Sequence, residues 1–301
     1  MGNYQRKDKE IKKEKLDEGI NISTKNNLNI KFKSVLVKDS YAWRQLTNTF
    51  TAFNSVNNLL LLIYCTKKRS IICYDLNQEK KITEIKNAHN EFIFNLRHFL
   101  DTINKRDIVL SLSDGNNLKL WDIKNFECIA YLSIDNIKGL LQSSYILRDN
   151  NYNYIITGEY FDGHIKSNKI KVFDFNGAIV KKIEDSKDSI LIIVTYFDSK
   201  LSNNFIISGN KNCVKSYNYN NNKLYHKYYD KEQYQKEKYH SDLIIKNDEN
   251  IVKLIESCMD GIIRIWDFHS GIFLKKIDLA EFKNQYCLCL WDNKYLFVGC
   301  C

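Results

Sequence analysis

The chain has 301 residues, a hydrophobic fraction of 44% and an aromatic fraction of 13%, which place it among globular proteins. Its net charge of +9 is modest for this length and is spread along the chain, which argues against a dedicated nucleic-acid groove. No run reaches the ~18 apolar residues that a membrane-spanning helix requires, and the nine cysteines form no C-x-x-C pair, so we expect a reduced, cytoplasmic protein, with a nuclear location left open.

The composition changes near residue 30. Residues 4–18 alternate Lys or Arg with Asp or Glu, a pattern typical of a solvated helix or a disordered tail. Beyond residue 30, short runs of Ile, Val, Leu, Tyr and Phe are separated by clusters of Asn, Asp, Gly and Lys, which is typical of an all-β protein. We therefore predict a charged N-terminal tail over residues 1–29 and one folded domain over residues 30–301.

One pattern recurs five times in this domain: an apolar run, a polar turn, a second apolar run, and then an aromatic residue followed by Asp or Asn. The five pairs are Tyr74-Asp75, Trp121-Asp122, Phe173-Asp174, Tyr217-Asn218 and Trp266-Asp267. Their spacings of 47, 52, 44 and 49 residues leave room for four strands in each unit. A period near fifty of this kind predicts a β-propeller of four-stranded antiparallel blades rather than a helical solenoid.

A further Trp291-Asp292 pair does not fit the period. It follows the run YCLCL and precedes KYLFVGCC, so these two runs are predicted to be the first and second strands of a sixth unit. The sequence thus predicts about five full blades plus the start of a sixth, in a propeller that is seven-bladed when complete and is truncated here at its C-terminus. The run IKFKSVLV at residues 30–37 is a candidate for an outer strand that closes the ring.

These repeats resemble the WD-repeat β-propeller family over roughly residues 30–301. In that family, a His, a Ser or Thr, a turn Asp and the Trp of the third strand form a network of buried, mutually hydrogen-bonded side chains within a blade. The resemblance assigns these roles in the second blade to His89, Ser111 or Ser113, Asp114 and Trp121, and in the fifth blade to His240, Ser257, Asp260 and Trp266.

No catalytic, cofactor-binding or metal-ligating residues are predicted. The sequence has neither a Gly-x-Ser-x-Gly elbow nor a Gly-rich phosphate loop followed by Lys. The remaining histidines have no Cys, Asp or Glu partner at metal-ligand spacing; they are His98, His164, His226 and His269. We therefore expect no enzymatic activity and no cofactor.

The resemblance implies an interaction scaffold that binds proteins or peptides within a multi-subunit assembly, with its oligomeric state left open. Tyr alternates with Lys across residues 224–239, and tyrosine is enriched in binding hot spots. The candidate partner contacts in this stretch are Tyr225, Tyr228, Tyr229 and Tyr234. Two alternatives remain: a propeller hydrolase with acids converging on the central channel, and a phosphoinositide-binding propeller, although the Phe-Arg-Arg-Gly stretch of that relative is absent.

Overall fold

A computed structural model describes residues 50–66, 69–133, 140–160, 169–184, 189–230, 239–248, 250–279, 285–291 and 295–300. Within these segments the chain forms β-strands joined by turns and loops, with no α-helix. The strands make five four-stranded antiparallel sheets and one two-stranded sheet, so the predicted all-β propeller with five full blades and the start of a sixth is confirmed. The predicted tail at residues 1–29 and the run at residues 30–37 lie outside the described residues.

The strands follow the chain in blade order. The first blade contains β1 (Phe50–Asn54), β2 (Leu60–Cys65), β3 (Ile71–Asp75) and β4 (Lys80–Ile85). The second contains β5 (Ile93–Asp101), β6 (Arg106–Ser113), β7 (Asn117–Asp122) and β8 (Glu127–Ser133). The third contains β9 (Leu140–Asp149), β10 (Tyr152–Tyr160), β11 (Lys169–Phe173) and β12 (Ile179–Glu184). The fourth contains β13 (Ile192–Asp198), β14 (Asn203–Gly209), β15 (Val214–Asn218) and β16 (Leu224–Tyr228). The fifth contains β17 (His240–Asn247), β18 (Val252–Cys258), β19 (Ile262–Asp267) and β20 (Phe273–Asp278), and the sixth β21 (Gln285–Trp291) and β22 (Tyr295–Cys300).

Each four-stranded blade is a meander whose first strand lies innermost. The first strands of successive blades contact one another from β1 through β21, whereas the fourth strands are largely exposed. The second and third strands are mostly buried, and every residue of β14 is buried. Because each blade runs in the same order, the turns between its first and second strands lie on the same side of the propeller as the turns between its third and fourth strands.

The hydrophobic core consists of clusters between successive blades. Leu61 and Ile63 of the first blade pack with Val109 and Trp121 of the second blade. The opposite face of the second blade packs against the third, in a cluster that includes Leu120. A blade therefore hides both of its apolar faces only by stacking against its neighbours, which is the main stabilising contribution to this fold.

The acidic or amide residue of each aromatic–acid pair holds the turn into the fourth strand. In every complete blade its Oδ1 accepts the backbone N–H of the residue two positions later, as in an Asx turn. The pairs are Asp75 with Asn77 (2.8 Å), Asp122 with Lys124 (2.8 Å), Asp174 with Asn176 (3.0 Å), Asn218 with Asn220 (2.9 Å) and Asp267 with His269 (2.9 Å). The pair recurs because its two members have two local tasks: the aromatic ring fills the core, except for the half-buried Tyr74 of the first blade, and the Asp or Asn closes the turn.

Candidate functional site

The second blade brings together three of the four residues that the resemblance assigns to a side-chain network. Oγ of Ser111 lies 2.7 Å from Nε2 of His89 and accepts a hydrogen bond from Nε1 of Trp121 at 2.8 Å. All three side chains are buried. Asp114 does not join them: it is exposed, and its carboxylate accepts the backbone N–H of Gly115 at 3.1 Å.

The fifth blade does not join its four predicted residues into one network, and that prediction is corrected here. Nδ1 of His240 contacts the carbonyl oxygen of Asn210 in the fourth blade, and its Nε2 lies 3.5 Å from a carboxylate oxygen of Glu256. Burial opposes protonation of His240, yet the carboxylate of Glu256 raises its pKa above the ordinary value. Ser257 instead hydrogen bonds to Ser241, with 2.8 Å between their hydroxyl oxygens.

Asp260 and Trp266, the other two residues predicted for the network of the fifth blade, do not join it either. Asp260 accepts a hydrogen bond from Nη2 of Arg264 at 2.9 Å, and the Arg264 side chain is fully buried. Nε1 of Trp266 is buried and has no hydrogen-bond partner among the described residues. The fifth blade therefore holds a buried ionic cluster where the second blade holds a neutral network.

The difference between the two blades is one of register. Ser111 stands ten residues before Trp121 and on the same face of the sheet, so its hydroxyl reaches the indole N–H. Ten residues before Trp266 stands Glu256, whereas Ser257 is one residue further along the strand and points to the opposite face. The spacing of ten residues before the Trp therefore identifies Glu256, and not Ser257, as the counterpart of Ser111.

The four predicted partner contacts differ in exposure. Tyr228 is corrected: it is only 1% exposed, and its hydroxyl donates a hydrogen bond to the carbonyl oxygen of Phe268 at 2.6 Å. Tyr225 is half-buried in the same aromatic cluster, and Tyr234 lies outside the described residues. Of the three tyrosines that the structure describes, only Tyr229 is exposed, with Nζ of Lys227 5.3 Å from its ring centroid.

One side of the propeller carries exposed apolar side chains on four successive blades. They lie at or beside the turns between the first and second strands, and they are Val56, Leu100, Ile103, Tyr152, Phe197 and Leu201. Leu100 and Phe197 occupy the same register position of the inner strand in the second and fourth blades, opposite Asp107 and Asn204. We call this set the apolar turn face.

A polar pocket of about 350 Å³ lies on the outer half of the second blade. Its lining residues come from the segment that leads into the blade and from β7 and β8, and they are His89, Asn90, Asn117, Lys119, Cys128 and Tyr131. Burial, with a smaller contribution from Lys119, lowers the pKa of His89 to about 3, so the imidazole is neutral.

The described segments contain neither a metal-binding cluster nor a membrane-spanning helix. No group of three or more His, Cys, Asp or Glu side chains is arranged there to hold a metal ion. No helix in this part of the chain has the length and apolar character needed to cross a bilayer.

Comparison with known proteins supports the fold alone. No protein-family model and no curated protein matches the sequence. Among solved structures, the chain is similar to the crystal structure of the computationally designed Ika8 protein, with a TM-score of 0.55 and 18% sequence identity. The match covers 80% of this chain and 65% of the length of that designed protein. The similarity, together with the sheet order, shows a β-propeller of about six blades.

Proposed function

We propose that this chain is a non-catalytic interaction scaffold of the WD-repeat type, which binds protein or peptide partners through its faces and loops. The aromatic–acid pairs and the His89, Ser111 and Trp121 network support the WD-repeat assignment, because they are the features on which the resemblance rests. A scaffold of this kind needs only a rigid frame that presents side chains at fixed positions.

The observation that carries the proposal is the apolar turn face. Single exposed apolar residues are common on protein surfaces, but here they recur on one side of four successive blades and twice at the same register position. Exposed apolar residues that gather on one face are typical of protein interaction sites. We therefore place the main partner surface at Leu100, Phe197 and their neighbours on this face.

Affinity purification from the source cell tests this proposal. We compare the tagged full chain with a variant carrying Leu100→Gln and Phe197→Gln, and with a control carrying Ile179→Gln and Val180→Gln on the exposed outer strand β12. The proposal expects partner proteins that the wild type and the control retain and the face variant loses. Equal recovery by all three would exclude this face, and turnover of phosphate or glycoside substrates by the purified chain would contradict the non-catalytic assignment.

A further inference from the structure

The cation in the pocket of the second blade differs from its counterparts in the third and fifth blades. Lys119 stands opposite Ser111 in the pairing of β6 with β7. The same register position holds Lys171 in the third blade and Arg264 in the fifth blade, each paired with a carboxylate of its own blade, Lys171 with Glu159 and Arg264 with Asp260. Lys119 instead donates a hydrogen bond to the carbonyl oxygen of Ala88 at 2.6 Å, and no carboxylate of the described residues pairs with it.

An ammonium group carries three N–H donors, so one bond to Ala88 leaves two donors for another acceptor. Lys119 is also partly buried, with Nζ 5.6 Å from the ring centroid of Trp121 and 5.4 Å from that of Tyr131. A partly desolvated cation beside aromatic rings gains more from an anion than a fully hydrated surface lysine does. Lys119 therefore favours an anionic ligand in this pocket.

His89 also lines this pocket. Its imidazole is neutral and 2% exposed, so one ring nitrogen carries the proton and the other accepts. Ser111 Oγ already accepts from Trp121, and this oxygen lies closer to Nε2 of His89 (2.7 Å) than to the carbonyl oxygen of Lys119 (3.4 Å), so Nε2 is the better acceptor for the hydroxyl proton. Ser111 therefore donates to Nε2, which places the imidazole proton on Nδ1. Nδ1 is buried and has no partner in the described part of the chain.

The remaining lining side chains complete a set of donors. The hydroxyl of Tyr131 donates to Oδ1 of Asn117 at 2.8 Å, which occupies the acceptor of that amide and leaves its NH₂ group for a ligand. The Tyr131 ring is exposed at the pocket edge and offers an apolar surface for the aliphatic part of a ligand. The donors that a ligand can reach are therefore those of Lys119 and Asn117.

We propose that this pocket binds the carboxylate of an acidic side chain in a partner peptide. The inference rests on the scaffold function proposed above and names a second, more specific contact for it. A single cation matches a singly charged carboxylate better than a doubly charged phosphate. A volume of about 350 Å³ holds one side chain and is at the lower end for small-molecule sites.

Two carboxylates of the chain itself, those of Asp114 and Glu91, lie at the turn around Gly115 and are candidates for an internal partner of Lys119. Asp114 is exposed and caps its own turn, and the side chain of Glu91 lies beside that turn, 3.8 Å from the Cβ position of Gly115. Neither forms an ion pair with Lys119 among the residues that the structure describes. The resemblance expected Asp114 to join His89, so the variant Asp114→Asn tests whether that carboxylate competes with a ligand.

Peptide binding tests the proposal directly. The probes are fluorescent heptapeptides with blocked ends and randomised flanks, whose central residue is glutamate, glutamine or phosphoserine, and binding is followed by fluorescence polarisation. We expect the glutamate peptides to bind at least about tenfold tighter than their glutamine counterparts, because a charge-assisted hydrogen bond replaces a neutral one. Lys119→Gln should remove this preference, as should Asn117→Asp, which supplies an internal carboxylate, while Asp114→Asn should retain it. Circular dichroism and the urea midpoint verify that each variant is folded.

Cysteine alkylation provides a second measurement at the same site. Cys128 lines the pocket and is exposed, and Cys289 of the sixth blade is exposed as well. A bound glutamate peptide should slow alkylation of Cys128 but not of Cys289, as measured by peptide mass mapping at mildly alkaline pH.

The results of the two experiments distinguish the pocket of the second blade from the apolar turn face. Equal binding of glutamate and glutamine peptides, a preference that persists in Lys119→Gln, or tighter binding of phosphoserine peptides would overturn the carboxylate assignment. If the affinity purification fails while the glutamate preference stands, the pocket remains and the apolar turn face is excluded. If partners are recovered through that face but the peptides show no preference, the pocket assignment alone is wrong.

Discussion

Oδ2 of Asp242, in the fifth blade, accepts the backbone N–H of Leu288, in the sixth blade, at 2.9 Å. Ser143 in the third blade accepts the backbone N–H of Ile193 in the fourth blade in the same way, at 2.7 Å. Both acceptors stand next to a β-bulge of an inner strand, where the extra residue turns a side chain toward the neighbouring blade. A polar side chain at this position therefore satisfies a buried backbone donor that the sheet hydrogen bonds leave unpaired.

Replacing Asp242 should loosen the junction between the fifth and sixth blades. We expect Asp242→Ala to lower the free energy of unfolding by about 1–3 kcal/mol, because it leaves the buried N–H of Leu288 without an acceptor. Asp242→Asn keeps an oxygen acceptor and should lower it less. Urea denaturation measures the stability, and hydrogen exchange at the Leu288 amide reports the local effect.

Ser143→Ala serves as the matched control for this junction. It should speed exchange at the amide of Ile193 and leave that of Leu288 protected. Unchanged exchange at Leu288 in Asp242→Ala would show that the hydrogen bond does not hold the sixth blade.

The two tryptophans of the repeats should respond differently to the same substitution. Trp121→Phe removes the indole donor to Ser111, whereas Trp266→Phe removes a buried N–H that has no partner among the described residues. Both variants lose similar ring volume in the core, so the loss of the hydrogen bond should make Trp121→Phe less stable than Trp266→Phe by about 1 kcal/mol. Paired urea titrations measure the difference, and equal losses would mean that the Ser111 bond adds nothing.

The features that the sequence revealed are those that repeat locally. Asp122 and Asp267 mark their turns because each side chain bonds to the backbone two residues later, a requirement independent of the rest of the fold. In the fifth blade, Glu256 occupies the position that Ser111 holds in the second blade. This difference depends on the pairing register, because a shift of one residue moves each side chain to the opposite face of the sheet. The strand Phe50–Asn54 is not marked by the repeat pattern, because FTAFN has no regular alternation of apolar and polar residues and residues 51–54 are half-buried or exposed.

Tyr228 also shows that contacts between blades cannot be predicted from the local sequence. Its alternation with lysines indicated an exposed loop, yet the stretch Leu224–Tyr228 is the fourth strand of a blade, and the ring is buried against Phe268. The position of that ring is set by the next blade, which no local pattern specifies. For the same reason, the donors of the pocket were not found: Ala88 and Lys119 are far apart in the chain and meet only in the folded blade.

The turn between the third and fourth strands of the fifth blade should depend on Gly271. Its φ of 69° lies in the left-handed region, and a Cβ there would stand 3.3 Å from Nδ1 of His226. We expect Gly271→Ala to lower the free energy of unfolding by about 1–2 kcal/mol, because residues with a Cβ disfavour this conformation. In the fourth blade, Asn222 holds the corresponding position with a φ of 60°, so Asn222→Gly is the control and should change stability little. If Gly271→Ala left the free energy of unfolding unchanged, the turn would have to adjust to a right-handed conformation.

His89 should make the second blade sensitive to acid. Its pKa falls from an ordinary value of 6.5 to about 3 in the folded chain, chiefly because of burial. Between these values the unfolded state binds a proton that the folded state does not, so stability is complete above pH 6.5 and falls as the pH is lowered toward 3. The slope approaches about 1.4 kcal/mol per pH unit for one such group.

We therefore expect the wild type to lose more stability than His89→Gln between pH 6.5 and pH 3, in urea titrations at matched ionic strength. The variant is less stable at neutral pH, because it loses the bond to Ser111, so the comparison uses the slope with pH rather than the absolute value. Parallel slopes for the two proteins would mean that the imidazole titrates normally and is not held neutral. In that case His89 would be cationic below its ordinary pKa of 6.5, with a proton on both ring nitrogens, and Nε2 could no longer accept a hydrogen bond from Ser111.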